Sequence, residues 1–319
     1  MKIVIPGGTG QVGSILCRAL RAEGHEVVLL ARSGGPPGTV RWDGRTLGPW
    51  VEQLEEADAV INLAGRSVNC RYTPEHLQQM LESRVGSTEV VGQAIARAAR
   101  PPRTWLQMST ATIYAHRFDA ANDDVEGRIG GGEPDAPALW KKSVDIALAW
   151  ERALGEAPTP RTRKVALRTA VVLSPDRRGV FDVLMGLTRR GLGGPVAGGA
   201  QYMSWIHDRD LVRAVKFLLE HDALSGAVNL ASPGPLPEAA FMAALRVAAG
   251  IRIGLPATRW MAEVGAFLLR TETELLFKSR RVVPRRLLDA GFDFEFPRWP
   301  EAARDLASRW RAQRAASGS

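Results

Sequence analysis

The chain opens on an apolar run, Ile3-Val4-Ile5, breaks at Gly7-Gly8-Thr9-Gly10-Gln11-Val12-Gly13, and resumes with Ile15, Leu16, Ala19 and Leu20 at helical spacing. Glycines three apart let a backbone turn sharply out of a strand and bring the next helix close onto the sheet. The free amides and positive pole of that helix then face the space above the turn, which suits a pyrophosphate. A glycine triplet alone is a weak signal, and an ordinary strand-turn-helix is the alternative. Here the flanks agree with the stronger reading: Gly24 stands where a helix C-cap belongs, and Glu26-Val27-Val28-Leu29-Leu30-Ala31 follows as a second buried strand. Gly7, Thr9, Gly10, Gln11, Val12 and Gly13 are therefore candidate contacts to a dinucleotide.

The end of the second strand bears on which dinucleotide. A carboxylate there would bind the adenine ribose 2′-hydroxyl and select NAD. This chain has Arg32-Ser33 instead and no carboxylate before Asp43. A guanidinium suits a 2′-phosphate through paired, charge-assisted hydrogen bonds, so NADP, with NADPH preferred over NADH, is the expected cofactor. The alternative is a solvated loop arginine.

Strands and helices alternate through the first half: Ala59 to Ala64 reads as a strand, Thr73-Pro74 as a helix start running to about Ala99, and Thr104 to Ser109 and Val165 to Val172 as further strands. The fold class is α/β, a Rossmann-type doubly wound parallel sheet with a smaller mixed α/β C-terminal lobe. Residues 1–175 with 205–231 are expected to form the dinucleotide-binding domain. Residues 176–204 with 232–312 form the substrate lobe, with helices at Glu238 to Ala249 and about Thr258 to Thr271, a ragged end near Trp310, and a frayed tail at 313–319. The net charge of +8 comes from scattered arginines, with only six lysines among 42 basic residues, so nucleic acid is not an expected partner. Two cysteines, Cys17 and Cys70, make neither a disulfide framework nor a metal site. No apolar stretch reaches membrane-spanning length, and no signal segment precedes the first strand; a cytoplasmic setting is expected.

Further motifs follow in order: Asn62-Leu63-Ala64-Gly65; Ser83-Arg84 with Thr88; Ser109-Thr110-Ala111-Thr112-Ile113-Tyr114; Trp150-Glu151; Leu167-Arg168-Thr169; Gly191-Leu192-Gly193-Gly194-Pro195; Ser204-Trp205-Ile206-His207; and Arg286-Leu287-Leu288-Asp289-Ala290-Gly291-Phe292. In this order and spacing the chain resembles the extended short-chain dehydrogenase/reductases, within the NAD(P)-dependent epimerase/dehydratase family, and specifically an atypical epimerase-like group with a C-terminal domain of unknown function. The resemblance implies that Asn62, Leu63, Ala64, Gly65, Ser109, Arg168 and Thr169 join the cofactor site. It implies that Gly193, Gly194 and Gln201 belong to a loop over a small or nucleotide-linked substrate. Thr110 takes the place of the family's hydroxyl that binds the reacting oxygen, with a turn-capping hydroxyl as the alternative. Arg84 stands where relatives carry asparagine and meets either an anion or a helix-surface carboxylate.

One departure from the family's pattern is instructive. Its tyrosine and lysine, one helical turn apart, transfer the proton. Anchored on Glu151, those positions hold Ser143 and Ala147 here, and no tyrosine has a lysine four residues on. Tyr114, His207 and the Lys141-Lys142 pair are the candidate replacements, each with a structural alternative. Two functions remain open: an NADP(H)-dependent, epimerase-like oxidoreductase, or an NADP(H)-binding sensor or scaffold without turnover. Helices around residues 74–99 and 140–155 are the expected faces of a homodimer.

Overall fold

The computed structural model describes residues 1–134, 136–268 and 272–316. The strands are β1 (Lys2–Pro6), β2 (Glu26–Ala31), β3 (Val40–Arg41), β4 (Ala59–Asn62), β5 (Thr104–Thr110), β6 (Arg163–Thr169), β7 (Val171–Leu173), β8 (Tyr202–Met203), β9 (Trp205–His207), β10 (Gly226–Leu230) and β11 (Leu236–Pro237). Helices α1 (Gln11–Ala22), α2 (Pro74–Arg97), α3 (Ala138–Glu156) and α5 (Asp208–Glu220) cover the sheet. Helices α4 (Val180–Arg189), α6 (Glu238–Ala249), α7 (Arg259–Leu268), α8 (Glu274–Phe277), α9 (Arg285–Asp289) and α10 (Trp299–Ala315) complete the chain.

Among the described residues, seven strands pair in the order β10-β6-β5-β4-β1-β2-β3, all parallel. The chain runs outward from β1 through β2 to β3, then returns to β4 on the other side of β1. That reversal opens a crevice outside the carboxyl ends of β1 and β4, where ligands enter such sheets.

Alternation along the strands builds both faces. Ile3 and Ile5 point to one side and pack with Leu16 and Leu20 of α1 and Leu211, Val215 and Leu218 of α5. Val4, between them, points to the other side with Val60, Trp105, and Val90, Val91 and Ile95 of α2. Each such fully buried aliphatic side chain contributes about 2 kcal/mol to folding. A third core, with Phe181, Met185, Trp205, Phe241, Leu245, Trp299 and Leu306, holds the C-terminal region together.

The local end signals are realised in the backbone. Gly24 has φ +81°, and the amides of Gly24 and His25 bond the carbonyls of Arg21 and Leu20, closing α1 as a Schellman turn. Thr73 caps α2 through His76, with Pro74 in the first turn. The structure corrects three expectations. The single strand expected over Val165–Val172 is two, because the Ala170 amide still bonds Leu230 while Val171 switches to Ser204, carrying β7 into a separate pair with β9. The expected ragged end is α10: Trp299, Ala302, Ala303, Leu306, Ala307 and Trp310 form a buried stripe at helical spacing, which the intervening arginines obscure in sequence. Residues through Ala315 of the expected frayed tail are helical, and 317–319 lie outside the described residues, as does the expected end of α7 at Thr271. The C-terminal region is chiefly helical, its strand content being the β8–β11 pair. No helix among the described residues is long and apolar enough to cross a membrane.

Candidate functional site

The glycine turn owes its shape to close packing. Gly7 has φ +73°, and a side chain there would place Cβ 2.7 Å from the Ala64 backbone at the end of β4. On Gly13, Cβ would lie 2.3 Å from the Gly8 carbonyl oxygen. The turn is thus pressed against the Leu63-Ala64 backbone on one side and α1 on the other. Helix α1 begins at Gln11 with no side-chain cap and no acidic residue in its first turn, so its amide pole is left for an outside anion.

Above the turn lies a cleft of about 400 Å³, lined by Thr9, Gly10, Gln11, Ser14, Arg18 and the segment 176–179. Gln11 Nε2 donates to Ser174 Oγ at 3.2 Å, tying the turn to the strand end that carries this segment. Arg18 pairs with Asp176 at 3.0 Å. Arg177 and Arg178 therefore face the glycine turn across the cleft. The sequence reading missed them, since nothing local to an Arg-Arg-Gly run says which loop it will cover. Arg32 and Ser33 leave the end of β2 exposed, and Arg32 makes no ion pair among the described residues.

Several expected contacts are already committed inside the protein. Asn62, expected to line the crevice, is fully buried: its amide donates to Gln107 Oε1 at 3.0 Å and its Oδ1 accepts from Ala64 N at 3.1 Å. Ser109 Oγ donates to Glu151 Oε1 at 2.6 Å. Arg168 forms a two-pronged pair with Glu151, at 2.9 and 2.8 Å, and its third nitrogen donates to Tyr114 Oη at 3.0 Å. Tyr114 Oη donates in turn to Asn229 Oδ1 at 2.8 Å, and burial raises its pKa. Arg168 is therefore a largely buried strut behind the strand ends, and Tyr114 is its partner. Thr169 Oγ1 bonds back to Leu167 O at 3.0 Å.

His207 has the surroundings of its structural alternative, a hydrogen-bonding strut. It is wholly buried, stacked on Phe296 with ring centroids 3.9 Å apart. Nδ1 accepts from Arg209 N at 3.1 Å, so the proton sits on Nε2, which faces Asp305 Oδ2 at 3.0 Å. Both nitrogens are occupied, burial lowers the pKa, and His207 caps α5. Asp208 instead holds Arg309 at 2.8 and 2.7 Å. Lys141 forms an exposed pair with Asp145 one turn away on α3.

The glycine-rich loop folds onto the C-terminal region. A Cβ on Gly193 would meet Thr188 Oγ1 at 2.7 Å, and one on Gly194 would meet Leu255 O at 2.3 Å. Gln201 is buried and donates to the carbonyls of Val196 and Leu276 at 3.2 and 3.1 Å. These residues shape the loop from behind. Glu238 secures it too, accepting from Val196 N at 3.1 Å. Burial pushes its carboxyl up to about 7 from 4.5. Between those values the folded chain keeps a proton that the unfolded chain releases, so this group's contribution to stability falls as pH rises through the window. Glu238→Gln is expected to stabilise the chain by about 2 kcal/mol above the window. The gap should close below pH 4.5, as urea unfolding at the two extremes would report.

Two residues keep chemical capacity at the crevice. Thr110 Oγ1 accepts from Thr112 N at 3.1 Å, the capping role, and its own proton meets no acceptor among the described residues. Arg84 packs along Gly65 and over the Trp150 ring, donates to the carbonyls of Met80 and Arg66 at 3.1 Å each, and meets no carboxylate among the described residues. Burial lowers its pKa to about 10. The surface salt bridge offered as its alternative is absent, leaving a desolvated cation beside the end of β4. Where the family's tyrosine and lysine would stand, Ser143 donates to Glu274 Oε2 at 2.6 Å and Ala147 is buried.

Residues 3–231 match the model of the NAD dependent epimerase/dehydratase family, and residues 257–306 that of a domain of unknown function, DUF1731. Epimerase family protein SDR39U1 of Bos taurus is 32% identical over 310 residues, covering 96% of this chain and 99% of that protein. The human epimerase family protein SDR39U1, isoform 2, crystallised with NADPH, superposes with a TM-score of 0.83 at 30% identity, over 97% of this chain and 99% of its own. A nucleoside-diphosphate sugar epimerase from Corynebacterium glutamicum superposes with a TM-score of 0.74 at 25% identity, over 98% of this chain and 61% of its own. The matched region spans the parallel sheet, the glycine turn and the crevice beside it, and the chain belongs to the NAD dependent epimerase/dehydratase family, as a member with a C-terminal DUF1731 region.

Proposed function

We propose that this protein binds NADP(H) across the carboxyl ends of β1, β2 and β4 and acts as an epimerase-like oxidoreductase on a small or nucleotide-linked substrate. The observation that carries the reading is the uncapped α1 behind a turn whose Gly7, Gly8 and Gly13 are too tightly packed for side chains, opening on a cleft with Arg177 and Arg178. The turn amides would hold the pyrophosphate, and Arg32 the 2′-phosphate. The bound nicotinamide would supply or accept hydride; the protein's part is to position substrate and manage the proton. Thr110 would orient the reacting oxygen. The human relative's crystallisation with NADPH supports the cofactor, and the Corynebacterium epimerase supports a nucleotide-linked substrate.

The test is coenzyme preference. Arg32→Ala is expected to weaken NADPH binding about tenfold or more and leave NADH almost unchanged. Tighter binding of NADH than NADPH, indifferent to Arg32→Ala, would refute the choice of cofactor. A sensor without turnover is the second reading, favoured by Ser143 and Ala147. NADPH oxidation on a carbonyl and sugar-nucleotide panel, lost in Thr110→Ala, would exclude it.

A further inference from the structure

Eight of the nine tryptophans are buried, and the ninth, Trp260, is 65% exposed. It stands on α7 with Val264 and Phe267 at i, i+4 and i+7, so the three share one face of the helix, with Met261 beside them. Val264 is 50% and Phe267 68% exposed. On the opposite face Ala262 and Ala266 are buried. Small residues thus seat the helix on the protein, and the large apolar ones point away from it. The loop before α7 continues the surface, with Ile253 and Leu255 exposed as well. Leu255 N donates to Gly191 O at 2.8 Å, which brings this loop beside the exposed Leu192.

A protein surface facing only water seldom gathers large apolar side chains in this way, and such a patch marks something that covers it. The charges around it indicate what. Arg252 lies between Ile251 and Ile253, Arg259 opens α7, Arg190 precedes Gly191, and the Arg71 guanidinium reaches over the Phe267 ring at 5.8 Å. Against these cations stands Glu263 on α7, itself paired with Arg259 at 3.3 Å. The whole chain carries a net charge of +8. Charge of one sign on both partners opposes a second copy, and the same charge draws the face to an anionic surface. Tryptophan and phenylalanine in an apolar cluster rimmed by arginine suit the headgroup region of a bilayer. With 10 residues α7 is too short to span one, so it would lie along the interface.

We infer that the α7 face docks this protein on a bilayer surface carrying anionic lipid headgroups. Trp260, Val264 and Phe267 enter the boundary between headgroups and acyl chains, and the arginines meet the headgroup phosphates. The inference is independent of the nicotinamide reading, because no residue of the glycine turn or its cleft belongs to this face.

The test is sedimentation of the full chain with vesicles of phosphatidylcholine, alone or with about a third phosphatidylglycerol. Binding is expected to be at least about tenfold tighter to the anionic vesicles and to weaken severalfold as salt is raised. Phosphatidylcholine brominated on its acyl chains, mixed into the anionic vesicles, is expected to quench the Trp260 emission. Trp260→Phe should keep binding within about threefold and abolish that quenching. Trp260→Ser combined with Phe267→Ser should weaken binding at least about tenfold, with a melting temperature within about 2 °C of the parent's. Equal binding to the two kinds of vesicle, quenching that survives Trp260→Phe, or binding indifferent to the paired serines would overturn the assignment. So would a lipid-free dimer, seen by sedimentation velocity, that the paired serines dissociate, since a second copy would then be the cover.

Discussion

Gly13→Ala is expected to lower NADPH affinity by at least about 100-fold, the loss of an interaction network rather than of one contact. The added methyl would lie 2.3 Å from Gly8 O and 2.5 Å from Gly8 Cα, atoms of the backbone that no rotamer change can move. Gly8 is itself closely packed: a Cβ added there would lie 2.9 Å from Ile5 O and 2.6 Å from Leu29 Cδ2. Helix α1 must therefore back away from β1, taking its free amides off the pyrophosphate position. Overpacking of this kind costs about 1–3 kcal/mol, a fall of about 2–6 °C in melting temperature. Gly10→Ala is the control: its Cβ would sit 3.6 Å from Gly7 O, an ordinary contact, and its melting temperature should match the parent's within about 1 °C. Fluorescence titration with NADPH and thermal melts measure both. Gly13→Ala binding within tenfold of the parent would contradict the packing argument.

Glu151→Ala should be the most destabilising of the polar substitutions proposed for this chain. Glu151 receives both prongs of Arg168 and the Ser109 hydroxyl, with side chains 16% and 14% exposed for the ion pair. Removing the carboxylate strands a buried guanidinium, at a cost of about 3–5 kcal/mol. Combining Glu151→Ala with Arg168→Leu removes the stranded charge and is expected to restore at least about 1 kcal/mol, although Tyr114 loses a donor. Urea unfolding of the two variants measures this. A Glu151→Ala loss under about 1 kcal/mol would mean that solvent reaches Arg168 and that the strut is weaker than its geometry implies.

The parts of this fold legible in sequence are those whose cause is local. β1, the glycine turn, the cap at Thr73, the stop at Gly24 and the whole of α6 follow from periodicity and end chemistry within a few residues. α10 was obscured because its apolar stripe shares the helix with many arginines. Residue types at the strand ends were also readable, but their directions were not. Arg168 and Gln201 have side chains suited to binding a ligand, yet each is drawn inward by a partner supplied by tertiary structure: Glu151 for the first, the Leu276 carbonyl for the second. The contacts made at the Ser143 position, where the family's tyrosine would stand, were illegible for the same reason. Ser143 and Glu274 lie 131 residues apart, and no spacing rule connects them. Arg177 and Arg178 gain meaning only once Gln11 is seen to meet Ser174.

A crystal structure of the chain grown with saturating NADPH tests the central claim most directly. The account expects the pyrophosphate on the amides of the Gly7–Gly13 turn, the 2′-phosphate beside Arg32, and the nicotinamide over the end of β5 beside Thr110. A dinucleotide bound away from that turn, or a turn left bare by saturating NADPH, would contradict it.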